Sequence, residues 1–161
     1  MYIPITLNCE LATFGPTERQ LGGGGTGPVR RINYHHPESD GNLGEVLALN
    51  IPSGEVKWRY RTRAPFNTAA LTTAGGLVFI GDWNRTMSAL DAENGELLWQ
   101  VRLATSNQGF PISYSVDGKQ YIAMPVGTGG ASWSGSLPRE LAPELSRPRN
   151  GSSINVFALP E

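Results

Sequence analysis

A-L-N-I-P-S-G-E-V-K-W (Ala48–Trp58) and A-L-D-A-E-N-G-E-L-L-W (Ala89–Trp99) are two copies of one eleven-residue pattern. Ala, then Asn or Asp, then Gly, then Trp recur at the first, third, seventh and eleventh places, and the copies start 41 positions apart. A period near forty residues built from short strands is the signature of a stacked β array, with β-propeller blades first among the candidates.

The chain around the copies supports an all-β reading. Strand-like runs fall at 1–7, Glu45–Leu49, Val56–Tyr60, Ala69–Thr73, Leu77–Gly81, Thr86–Leu90, Leu97–Leu103, Ile112–Val116 and Gln120–Pro125. From Glu45 on, each run is short, rich in β-branched, aromatic or leucine residues, and bounded by Gly, Pro, Asn or Asp. No stretch carries a 3.6-residue period. The chain closes on V-F-A-L (Val156–Leu159), which matches V-L-A-L (Val46–Leu49) and M-S-A-L (Met87–Leu90). One strand is therefore written three times, the third copy stopping before its turn and Trp. Two irregular stretches interrupt the array: a polar loop at 10–44 and a Gly/Ser/Pro-rich insertion at 127–153. Loops of that length are functional or disordered.

The pattern has a mechanical reading. Ala48 and Ala89 are placed on the third strand of a four-stranded blade, where a small side chain leaves room for the neighbouring sheet. Asn50 and Asp91 can bond the turn backbone, and Gly54 and Gly95 can take the left-handed conformation a hairpin needs. Trp58 and Trp99 then lie on the fourth strand, each able to bury roughly 200 Å² against an adjacent blade. These residues dock blades; they are not cofactor ligands.

Composition limits the function. The chain has 161 residues, 39% hydrophobic and 17% charged, with 20 glycines and 12 prolines. Such a balance fits a globular, turn-rich domain. A net charge of −1 gives no electrostatic case for nucleic acid or an anionic membrane surface. Cys9 is the only cysteine, which excludes an intrachain disulfide and a cysteine metal cluster. No run approaches the ~20 apolar residues of a membrane span. The opening M-Y-I-P-I-T-L-N-C-E lacks the basic flank of a signal peptide and reads as a strand.

Several motifs look chemical and are not. Gly22, Gly24 and Gly27 satisfy G-x-G-x-x-G, but neither a hydrophobic strand before them nor a helix after them supports a dinucleotide site. His35 and His36 are adjacent, which on a strand sends them to opposite faces, and no third ligand completes a zinc set. Asp82, Asp91 and Asp117 are spaced as turn residues, and Arg139, Arg147 and Arg149 read as a solvated face. No catalytic residue and no metal ligand is assigned.

The docking pattern, together with L-T-T-A-G-G-L-V-F-I-G-D (Leu71–Asp82) and D-G-K-Q-Y-I-A (Asp117–Ala123), resembles the quinoprotein alcohol dehydrogenases. The resemblance runs from Tyr2 to Pro160. It implies an eight-bladed β-propeller holding pyrroloquinoline quinone (PQQ) and calcium, of which residues 1–161 are the C-terminal part, roughly two to three blades. The family's catalytic aspartate and calcium ligands lie in earlier blades. The resemblance therefore implies a chain that supplies blades and cavity wall, is not competent alone and by itself binds neither PQQ nor calcium well. The implied substrates are small alcohols or polyols, the implied partners the remaining blades, and the implied compartment the periplasm.

Two residues are the site candidates. In G-G-x-x-W (Gly129–Trp133), Trp133 resembles the family's substrate-cavity tryptophan, although Ala131 and Ser132 intervene where the family has none; a packed loop tryptophan is the alternative. Asn67, in P-F-N-T-A-A-L-T-T, stands where some members place a cofactor-contacting tryptophan. An asparagine there can donate a hydrogen bond to a quinone carboxylate but cannot stack, and a simple turn asparagine is the alternative. Thr72 and Thr73 share its strand. A second function class is a non-catalytic propeller-repeat scaffold, with 10–44 and 127–153 as contact surfaces.

Overall fold

In the computed structural model, which describes residues 1–15, 30–127, 136–145 and 150–159, the two eleven-residue copies fold into the same hairpin. The Asn50 amide bonds Glu55 O at 2.9 Å, and the Gly54 amide bonds Asn50 O at 2.8 Å. The matching bonds, Asp91 to Glu96 and Gly95 to Asp91, measure 2.8 and 2.9 Å. Gly54 and Gly95 carry φ of 70° and 78°, the left-handed region that glycine enters without a Cβ penalty. Asp91 Oδ1 accepts from the amides of Glu93 and Asn94, and Asn50 Oδ1 from that of Ser53. Even the register irregularity recurs, between Ala48 and Leu49 and between Ala89 and Leu90.

Among the described residues, twelve strands and one short helix follow in order. Strands β1 (Tyr2–Thr6), β4 (Gly44–Leu49) and β5 (Val56–Thr62) form a first antiparallel sheet in the order β1-β4-β5. Strands β6 (Leu71–Thr72), β7 (Leu77–Gly81), β8 (Thr86–Asp91) and β9 (Leu97–Arg102) form a second, four-stranded sheet in chain order. A third holds β10 (Ile112–Val116), β11 (Lys119–Val126) and β12 (Ser153–Ala158). These are successive blades of a partial β-propeller. The thrice-written strand is β4, β8 and β12, and the two repeat tryptophans lie on β5 and β9.

Alternation along the strands decides which sheet each residue meets. Val46, Ala48 and Trp58 of the first sheet pack with Val78, Ile80 and Leu90 of the second. On the opposite face of the second sheet, Met87 packs with Ile122, Met124 and Val126 of the third, with Phe79 and Phe157 alongside. The middle blade is thus buried on both faces, and Val78, Ile80, Met87 and Leu90 are fully enclosed.

The structure revises two local readings. The stretch 10–44 is not one irregular loop. Strands β2 (Asn8–Thr13) and β3 (Arg30–His35) form a two-stranded ribbon that begins just before it and occupies part of it, registered from Asn8↔His35 to Thr13↔Arg30. Polar residues dominate both strands, so they lack the apolar alternation that marks the others. The 127–153 insertion contains helix α1 (Ser136–Leu141), six residues long and too short to carry a readable helical period.

Candidate functional site

One end of the array gathers the features that the repeat does not explain. In the second sheet, the β6–β7 and β8–β9 turns lie together at one end, tied by the Ala92 amide to Gly76 O at 2.9 Å. The β7–β8 turn lies at the other end. There it meets both inter-sheet linkers: the Trp83 amide bonds Pro65 O at 2.9 Å, and the Asn107 amide bonds Asp82 O at 3.2 Å. The β1–β4 connection also returns to this end through Leu7 to Leu43 O, and the β11–β12 connection departs from it through Gly127 to Ser106 O. Both elaborated connections, the ribbon and the α1 segment, therefore rise from the linker end.

The first linker is braced along its length. Thr62 Oγ1 donates to Ala64 O at 2.7 Å, and Ala64 O lies so close to Gly44 that no side chain fits there. Phe66 bridges Asp82 across the sheet end. Thr68 Oγ1 both accepts from the Gly81 amide and donates to Gly81 O, each at 3.1 Å. Asn67 is held between these two anchors. Its Nδ2 is enclosed and has no hydrogen-bond partner among the described residues. An enclosed amide donor left without a partner is costly unless a ligand or water meets it.

The second linker contributes buried polar residues. Thr105, Ser106 and Asn107 are fully enclosed. Ser106 Oγ donates to Trp83 O at 2.7 Å, and Asn107 Nδ2 donates to Thr86 O at 2.9 Å. Asn107 Oδ1, like Asn67 Nδ2, has no partner among the described residues. Gly81 is obligatory beneath it, since an added Cβ would sit 2.7 Å from both Asn107 Cγ and Met124 Cε. The sequence reading missed Asn107. Its only signal is a polar S-N-Q-G run where a strand-to-strand linker is due.

Asp82 is buried at the β7–β8 turn. Its Oδ1 accepts from the Thr86 amide at 2.8 Å, which makes it the brace of the β7–β8 turn. Burial raises its pKa from the ordinary 3.8 to about 6, opposed by hydrogen bonds from Thr86 and Asn84 and by the charge of Arg102. Burial likewise raises the Tyr60 phenol. Asp117 and Asp91 occupy turns, Asp117 with φ of 52°.

A cap of two connections covers the first linker. Helix α1 packs against β3, with Leu137, Pro138 and Ala142 buried and Asn33 Nδ2 donating to Glu140 Oε2 at 2.6 Å. Arg63 reaches into both connections. Its Nε donates to Glu144 Oε1 at 2.5 Å, one guanidinium nitrogen to Leu141 O at 2.7 Å and the other to Gly41 O. The Arg63 hydrogen bond is the main reason that the Glu144 carboxyl lies below its ordinary range.

The remaining sequence candidates are dispersed. Thr72 is exposed on β6, and Thr73 closes the β6–β7 turn at the opposite end, its amide on Leu77 O at 3.0 Å. His35 ends β3, and His36 Nδ1 accepts from the Glu38 amide. Trp133, the glycine run at 22–27, Arg147 and Arg149 lie outside the described residues. No three His, Cys, Asp or Glu residues gather as metal donors among the described residues.

Residues 42–122 match the model of the glucose/ethanol/alcohol dehydrogenase β-propeller domain. A quinoprotein ethanol dehydrogenase of Pseudomonas aeruginosa is 36% identical over 124 residues, which is 75% of this chain and 19% of that protein. The 1-butanol dehydrogenase (quinone) of Thauera butanivorans is 35% identical over 124 residues, 76% of this chain and 19% of its own. The chain thus spans about a fifth of the length of these relatives. Among solved structures, a europium-containing methanol dehydrogenase superposes over 98% of this chain and 30% of its own, with a TM-score of 0.82 and 25% identity. The quinohemoprotein alcohol dehydrogenase of Comamonas testosteroni covers 83% of this chain and 19% of its own, with a TM-score of 0.62 and 27% identity.

Proposed function

The chain belongs to the glucose/ethanol/alcohol dehydrogenase β-propeller family, and from that premise we propose that it supplies consecutive blades and part of the cavity wall of a PQQ-dependent dehydrogenase of alcohols or polyols. The observation that carries this reading is the family match across residues 42–122, which touches all three sheets. Bound PQQ supplies a hydride acceptor for the alcohol carbon. This chain's share is positioning.

The described residues fit such a group in one respect. Asn67 Nδ2 is an enclosed donor, held by Phe66 and Thr68 on either side, at the end where the linkers converge. An amide so placed can donate to a carboxylate oxygen of the quinone. Calcium takes six to eight oxygen ligands, and this reading assigns the ion's donors to the earlier blades. Trp133 walls the substrate side, and the remaining blades pack on the open faces of the first and third sheets. The periplasm is the compartment this reading carries. Among the described residues no helix is long and apolar enough to cross a membrane.

Binding of PQQ tests the reading. The chain, co-produced with a polypeptide carrying the earlier blades of a relative, is titrated with PQQ in the presence of calcium while tryptophan fluorescence is followed. Saturable binding is expected, weakened about tenfold to a hundredfold by Asn67→Ala, the effect of one hydrogen bond to a charged group. A folded assembly that binds no PQQ would leave the scaffold reading standing instead.

A further inference from the structure

We propose that the β7–β8 turn carries a carboxylate-binding site, with Arg85 as its charged residue and Asn67 of the adjoining linker as its neutral donor. The inference rests on the dehydrogenase reading only where it names the carboxylate as one of the bound quinone's; the site itself stands on the residues of the turn.

Arg85 differs from every other arginine among the described residues. Arg31, Arg59, Arg61 and Arg63 each meet a carboxylate within ion-pair distance. Arg30, Arg102 and Arg139 meet none, but all three are exposed and water solvates them. Arg85 is half-buried, meets no carboxylate among the described residues, and its Nε is enclosed without a hydrogen-bond partner. A cation held partly out of water with nothing to pair it is costly until an anion meets it.

Its backbone is equally unusual. Every other positive φ among the described residues belongs to glycine or aspartate, whereas Arg85 holds a φ of 73°. A long side chain gains nothing from that conformation, and a strained residue in a fixed turn points to a use for its side chain. The turn is fixed from three sides. The Asp82 amide bonds Thr86 O at 2.8 Å, the Leu103 amide bonds Arg85 O at 2.7 Å, and the Trp83 amide bonds Pro65 O at 2.9 Å.

The linker that carries Asn67 lies along this turn. Pro65, Phe66 and Thr68 engage Trp83, Asp82 and Gly81 in that order, which brings the enclosed Asn67 Nδ2 to the same end as Arg85. One charged and one neutral donor, both unpaired, suit a carboxylate. The planar guanidinium can meet its two oxygens side by side, and an amide N–H can meet a remaining lone pair. Asp82, the acid of the same turn, accepts from the Thr86 amide and forms no ion pair with Arg85.

Arg85→Gly separates binding from folding, because glycine takes a φ of 73° freely. In the assembly with the earlier blades of a relative, this variant should bind PQQ about tenfold to a hundredfold more weakly while its urea midpoint stays at or above the parent's. Arg85→Lys, a point charge without the fork, should recover only part of the affinity. PQQ affinity unchanged in Arg85→Gly would overturn the site, as would a loss of affinity matched by a loss of stability. A parent assembly that binds no PQQ would count against the dehydrogenase reading instead, and the full chain alone then decides the site with acetate as the probe. Acetate should move the Arg85 Nε–H nitrogen-15 resonance beyond a chloride control at equal ionic strength, and Asn67→Ala should weaken that response. No movement beyond the chloride control would overturn the proposal.

Discussion

Trp58 of the first sheet lies directly on Gly95 of the second: a Cβ built on Gly95 would fall 2.6 Å from Trp58 Cε3 and 2.7 Å from Cδ2. The indole Nε1 donates to Ala92 O of the same turn at 3.1 Å, and Tyr2 packs against the ring at 5.6 Å between centroids. The glycine of one copy is thus the seat for the tryptophan of the other. Gly95→Ala should therefore cost about 2–4 kcal/mol, combining a left-handed alanine with an overpacked contact. Gly54 has a similar φ but nothing within 4 Å, so Gly54→Ala should cost only about 1 kcal/mol. Urea denaturation of the two variants measures the difference.

The repeat tryptophans are chemically equivalent but differently placed. Trp58 is 8% exposed, whereas Trp99 is 39% exposed, its ring 5.3 Å from that of Phe157 in an edge-on arrangement beside an apolar cleft of about 330 Å³. Trp58→Ala should destabilise by about 3–5 kcal/mol, and Trp99→Ala by about 1 kcal/mol in this chain. Packing of a further blade over Trp99 would raise the second value, which thermal melts of the chain alone and of an assembled enzyme would compare.

Asp82 makes stability pH-dependent with an unusual sign. Its folded pKa stands at about 6, above the unfolded 3.8, so the folded state takes up a proton first as pH falls. Its contribution is fully present below about pH 4 and lost as pH rises through 6, up to about 3 kcal/mol. Asp82→Asn keeps a turn acceptor for the Thr86 amide without the buried charge. The variant should be more stable than the parent at pH 7.5 and lose that advantage at pH 4.5. Denaturation at the two pH values decides it.

Thr68 is the buried brace of the linker that holds Asn67. Thr68→Val preserves the shape but strands both the amide and the carbonyl of Gly81. The expected loss is about 2–3 kcal/mol, larger than for an exposed Thr→Val change. Thr68→Ser should recover most of it in the same assay.

The legible parts of the molecule were those with local chemistry. Leu77–Gly81 and Ile112–Val116 are strands with the bounds their composition suggests, because alternation and flanking Gly, Asp or Pro are written within each segment. The β2–β3 ribbon was hidden because Glu10, Asn33, Arg30 and Arg31 break any apolar alternation; its pairing is decided by register across a long connection. The same limit applies to the site. Asn67 could be singled out from its place in a motif. Asn107 and Arg63 matter through contacts with Gly81, Glu144 and Gly41, partners distant in sequence that no spacing announces.

The central claim is that these blades form part of a PQQ dehydrogenase, and one chimera measures it most directly. This chain replaces the matched segment of the Pseudomonas aeruginosa quinoprotein ethanol dehydrogenase, and PQQ-dependent reduction of a dye by ethanol or a longer alcohol is followed in the presence of calcium. The account predicts alcohol-dependent dye reduction that disappears when PQQ is withheld. A chimera that folds, shows the β-rich circular dichroism of its parent and yet reduces no dye with any alcohol tested would contradict it.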